Sequence, residues 1–107
     1  VFRDDYLMRQ IEQLAGFLAR AAGFSAGGAP AEALRELREA WDQLFGDVPR
    51  ELVDVLDLPT LTGLLRTPER VKAAAQLLAE EARALELLGD PRAATVQRRA
   101  RELAALG

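Results

Sequence analysis

The stretch Pro68 to Leu106 constrains the fold most, because it encodes two helices together with the turn that joins them. At Leu88-Gly89-Asp90-Pro91, glycine suits the left-handed position that ends one helix, aspartate can cap the next, and proline fits its first turn. Upstream, Val71, Ala75, Leu78, Ala82 and Leu85 recur at alternating steps of four and three, which puts them on one helical face. Downstream, Ala93, Val96, Ala100, Leu103 and Ala104 do the same. So short a connection predicts antiparallel helices, and two helices alone cannot cover both apolar stripes. The rest of the chain must supply the partners.

The preceding residues predict a second hairpin and a connector. A first helix is expected from Asp4 or Asp5 to about Ala22, with Leu7, Ile11, Leu14, Leu18 and Ala21 as its stripe. Met8, Ala15 and Ala22 widen that stripe on one side, and Tyr6 and Phe17 on the other. Gly23 to Pro30 reads as a linker. A second helix over Pro30 to Phe45 buries Ala33, Leu34, Leu37, Ala40, Trp41 and Leu44, with Trp41 as a core anchor and Gly46 as the stop. Two short helices follow, Pro49 to Leu56 and Pro59 to Arg66, the second capped by Asp57; Thr67-Pro68-Glu69 then opens the long helix of the final hairpin. The chain thus reads as one all-α domain over residues 1–107, a compact antiparallel array of five or six helices. Its parts are a first hairpin over 1–46, a connector over 47–66 and a C-terminal hairpin over 67–107.

Composition narrows the chemistry. Half of the 107 residues are hydrophobic and 29% are charged, the balance of a helical domain that buries one core. The chain has no cysteine and no histidine, so it lacks a thiolate nucleophile, an imidazole base and the commonest transition-metal ligands. Carboxylates, Tyr6 and the single Lys72 are the groups left for chemistry, which argues against an enzyme. The net charge of -3 gives no general attraction to nucleic acid or acidic membranes. No apolar run reaches the length of a membrane span, and Arg3, Asp4 and Asp5 break the order of a secretory signal, so a cytoplasmic protein without a membrane partner is expected. Glu32, Glu36 and Glu39 share helical spacing, but Arg35 and Arg38 are interleaved and no Glu-x-x-His motif is present. Gly27-Gly28 lacks the context of a phosphate-binding loop. No metal and no cofactor are expected.

Two charged features remain. Glu81 falls within the apolar arc that holds Ala74, Leu77, Leu78, Leu85 and Leu88, where a carboxylate must reach solvent or pair. Arg9, Arg98 and Arg101 are its candidate partners in a partly buried ion pair. Arg92, Arg98, Arg99 and Arg101 form a basic cluster on the last helix, where the helix dipole favours cations. Without interleaved aromatics, the cluster is weak support for nucleic-acid binding.

The turn Leu88-Gly89-Asp90, with Ala82 and Leu85 before it and Ala94 after it, resembles a tetratricopeptide-type hairpin, in which small residues allow close helix approach. Arg98 and Arg101 stand where that repeat packs an aromatic and an alanine, so an ordinary repeat groove is not implied. The opening Phe2-Arg3-Asp4-Asp5-Tyr6-Leu7-Met8-Arg9-Gln10-Ile11-Glu12 is similar to that of a small bacterial family of all-helical proteins of unknown function, which end in such a hairpin. The resemblance implies the helical fold and no activity. It directs attention to Asp5, Arg9 and Glu12 as partner contacts. The function expected from these features is a non-catalytic protein-interaction or scaffold module. The broad apolar faces permit self-association as a homodimer. The alternative is a regulatory binder of a small ligand or nucleic acid through the C-terminal arginines.

Overall fold

The computed structural model describes residues 2–106, and within α1 it leaves the side chains of residues 2–4 and of Leu7 undescribed. The capping role of Asp4 and the core position of Leu7 therefore lie outside the described residues. Five α-helices run in the order α1 (Phe2–Ala26), α2 (Pro30–Leu44), α3 (Leu58–Leu65), α4 (Pro68–Leu87) and α5 (Ala93–Leu106). A single 3-10 turn, Arg50–Leu52, lies between α2 and α3. The fold is all-α, and the described residues include no strand.

Both hairpins close with the same device. Gly89 takes φ +68°, its N–H donates to the Glu86 carbonyl at 3.0 Å, and the Asp90 N–H donates to the Leu85 carbonyl at 2.9 Å. Gly28 takes φ +80°, its N–H donates to the Ser25 carbonyl at 3.3 Å, and the Ala29 N–H donates to the Phe24 carbonyl at 2.7 Å. These paired bonds satisfy carbonyls that a helix end would leave bare, and they need a left-handed residue between them. Asp90 also accepts from the Arg92 N–H at 2.9 Å, which closes a turn through Pro91 and Arg92, so α5 starts at Ala93, later than the expected cap and proline placed it. Upstream, Asp57 caps α3 through the Thr60 N–H, and Thr67 caps α4 through the Arg70 N–H.

One backbone position runs against its residue type. Arg66 adopts φ 77° and ψ -55°, and the Thr67 N–H bonds the Leu65 carbonyl at 3.0 Å, which makes a strained three-residue turn between α3 and α4. Two substitutions should therefore move stability in opposite directions. Gly89→Ala is expected to cost about 1 kcal/mol, because alanine resists positive φ. Arg66→Gly is expected to gain about 0.5 to 1 kcal/mol, the relieved strain less the extra freedom of the unfolded chain. Urea midpoints of the two variants check both signs.

Packing follows the predicted stripes on α2 and α4. Ala33, Leu37, Ala40, Trp41 and Leu44 are buried on α2, where Leu34 is only partly buried, and Val71, Ala75, Leu78, Ala82 and Leu85 are buried on α4, joined there by Ala74, Leu77 and Ala84, while Leu88 just past its end is exposed. On α5, Val96, Ala100 and Leu103 are buried, whereas Ala104 is exposed. Trp41 stacks at a tilt on Phe45, with ring centroids 4.7 Å apart, and its indole N–H donates to the Val48 carbonyl at 2.7 Å. That bond ties the start of the connector to the last turn of α2.

Three sequence expectations are corrected. The first is the length of α1, which continues through Gly23 to Ala26, because Ser25 extends the buried line of Leu14, Phe17 and Ala21. The linker shrinks to Gly27, Gly28 and Ala29. The second is the burial of α1's wide arc. At about 1.5 Å per residue α1 is about 37 Å long and α2 only about 22 Å. The N-terminal part of α1 therefore overhangs, leaving Tyr6, Met8 and Ile11 58 to 64% exposed. The third is the helix over Pro49 to Leu56, which reduces to the 3-10 turn and a further turn. Arg50 and Val53 point inward there, while Leu52 and Val55 stay exposed.

Candidate functional site: a charged cleft on a buried ion network

The site begins with a proline. Pro49 enters the 3-10 turn with φ -56° and delivers Arg50 into the interior, where only 9% of the residue is exposed. A buried guanidinium must be hydrogen-bonded to be tolerated. Arg50 donates from Nη2 to Glu81 Oε1 at 2.7 Å and from Nε to Glu81 Oε2 at 3.0 Å, a two-point match of planar groups. Its Nη1 donates to Asp54 Oδ2 at 3.1 Å. The guanidinium carbon lies 5.9 Å from the centroid of the Trp41 ring. Burial works against the charge of Arg50, but its hydrogen bonds and attraction to Glu81, with Asp54 second, outweigh burial and hold its pKa above the ordinary arginine range.

Over this network opens a cleft of about 480 Å³. Arg50, Glu81, Leu85 and Val96 form its deep part. Arg38 and Asp42 of α2 line one side, and Arg92 lines the side next to α5. The backbones of α2 and α5 do not approach each other closely among the described residues, and the cleft lies between Arg38 and Asp42 of α2 and Val96 of α5. Arg38, Asp42 and Glu51 are exposed at its edge. Asp54 Oδ1, by contrast, is buried and has no hydrogen-bond partner. The cleft thus presents charges of both signs around an internally bonded floor. Such an arrangement recognises charged groups, and the lining contains no serine, cysteine or histidine to attack one.

The sequence-selected residues are distributed differently from expectation. Glu81 is paired, but its partner is Arg50 from the connector, and not Arg9, Arg98 or Arg101, which are all exposed. Asp5, Arg9 and Glu12 are exposed on α1 and do not line the cleft. The C-terminal arginines do not act as one group. Arg92 bonds Asp90 through two nitrogens, and Arg99 donates to the Leu56 carbonyl and lies beside Glu102. Glu32 pairs with Arg35 and Glu36 with Arg20, and among the described residues no cluster of three acidic side chains is placed to hold a metal ion. Among these residues, too, no helix is long and apolar enough to cross a membrane.

Sequence reasoning missed Arg50. One signal was present: it is the sole cation between Gly46 and Leu65, in a segment that also holds Asp47, Glu51, Asp54 and Asp57. Its partner lies 31 residues away, a distance that no local pattern reports.

The caps around the site predict an acid response. The Thr60 hydroxyl and N–H hold the Asp57 carboxyl below the usual carboxylate range, and the side chain and N–H of Arg92 do the same for Asp90. A depressed folded-state pKa contributes stability that is complete above the ordinary value of about 3.9 and is lost as pH falls through the folded value. Thermal melts should therefore lose stability as pH falls below about 4. The loss should be smaller in Asp57→Asn combined with Asp90→Asn, which starts from a lower plateau.

No protein-family model, curated protein or solved structure matches the chain.

Proposed function

We propose that the protein is a non-catalytic interaction module whose charged cleft holds a segment of a partner protein. The observation that carries this reading is the cleft itself, a concavity with a floor of internally bonded charges and an edge where Arg38, Asp42 and Glu51 are exposed. Arg38 suits a partner carboxylate. Asp42 and Glu51 suit a partner lysine or arginine. The absence of histidine and cysteine supports recognition over turnover.

Selection of a random peptide library on the immobilised protein tests the proposal. Peptides carrying a basic residue should be enriched, and Arg38→Glu combined with Asp42→Lys should weaken them by about tenfold or more, because charge reversal at an interface costs one to several kcal/mol. Both positions are exposed, so the fold should be unaffected. Peptides that ignore this double change, or turnover of a compound in a metabolite screen, would overturn the reading.

A further inference from the structure

α1 carries two stripes, and the fold uses one. Leu14, Phe17, Ala21 and Ser25 face the core. On another face Met8, Glu12, Ala15, Ala19, Ala22 and Ala26 follow one another at steps of four and three, continuing the line from Asp5. All seven are exposed except Ala22, which is half-exposed. This line holds two carboxylates and no cation. Its small side chains let another helix approach closely, since interaxial distance depends on the residues at the contact.

The other end of the molecule bears a matching surface. α4 and α5 enclose an outer groove of about 440 Å³, floored by Ala75 and Ala100. Its charged groups are Lys72 and Arg101, both exposed, and no carboxylate lines it. The backbones of α1 and α5 do not approach each other closely among the described residues, so the stripe and the groove belong to different ends of the array. The charged groups of the stripe are both carboxylates and those of the groove are both cations, so the two surfaces are complementary in charge.

We infer that a second copy of the chain docks its α1 stripe into the α4–α5 groove, head to tail, with Asp5 and Glu12 facing Lys72 and Arg101. The contact joins two different patches, so it builds a ring or an open chain of copies and not an isologous dimer. This inference uses surfaces outside the charged cleft and does not depend on the partner proposed for it.

Sedimentation at rising concentration tests it with two charge-reversed proteins. One carries Asp5→Lys and Glu12→Lys, the other Lys72→Glu and Arg101→Glu. The native chain should pass beyond dimer mass, and more readily at low salt. Each reversed protein alone should associate about tenfold or more weakly, since like charges then meet. An equimolar mixture should recover native association, because each stripe again meets a groove of opposite charge. Ala19→Trp, which fills the stripe without changing charge, should also dissociate the chains while circular dichroism stays native. The inference is overturned by a native chain that stays monomeric, by a dimer whose mass saturates and persists in either reversed protein, or by a mixture that stays monomeric. It is equally overturned if the native chain is monomeric and the groove instead binds labelled single-stranded DNA, with binding lost on Lys72→Glu and Arg101→Glu.

Discussion

Glu81→Ala is expected to lower stability by about 3 kcal/mol, because it leaves the Arg50 guanidinium buried and deprived of its two-point partner. Asp54 retains one bond to Arg50, which keeps the loss near the lower end for a broken buried pair. A single unfolding transition at reduced urea concentration would register the effect. Joint replacement by apolar residues, Arg50→Met with Glu81→Leu, should return stability to within about 1 kcal/mol of native, since the desolvation of both charges is then avoided. An equally large loss in the double variant would mean that the network itself holds the hairpins together.

Trp41→Ala should cost about 4 kcal/mol, the largest loss of any single truncation considered. Trp41 is 1% exposed, packs on Phe45, lies under the Arg50 guanidinium and donates to the Val48 carbonyl. Its removal opens a void beside the floor of the cleft and frees the start of the connector. For a domain of this size a loss of that order lowers the melting temperature by roughly 20 °C. Trp41→Phe separates the two contributions. It keeps most of the packing and leaves the Val48 carbonyl unpaired, for a cost of about 1 to 3 kcal/mol.

The legible parts of this fold were those written locally. Gly89 with Asp90 and Pro91, Asp57 before Thr60, and Thr67 before Pro68 each state a helix end within four residues, and the structure places ends at all three. The α4 stripe was legible because its period persists over four turns. Gly23 misled because a glycine weakens a helix by only about 1 kcal/mol, and packing around Ser25 overrides so small a cost. That shift of the turn moves α2 toward the C-terminal end of α1 and strands Tyr6, Met8 and Ile11 outside the core. Periodicity gave their face but not the reach of the partner helix. Of the site, Glu81 was legible as a carboxylate out of place. Arg50 was not, because its meaning comes from a pairing across 31 residues that only the assembled fold creates.

On the proposed reading the Arg50–Glu81 pair serves recognition more than stability, and the doubly replaced protein puts that proposal to direct measurement. Arg50→Met with Glu81→Leu removes the charged floor while leaving Arg38, Asp42 and Glu51 at the edge. Isothermal titration of this variant with peptides selected on the native cleft should show affinity reduced by about tenfold or more, in a protein of near-native stability. Native affinity in that variant would contradict the assignment of the cleft as the partner site.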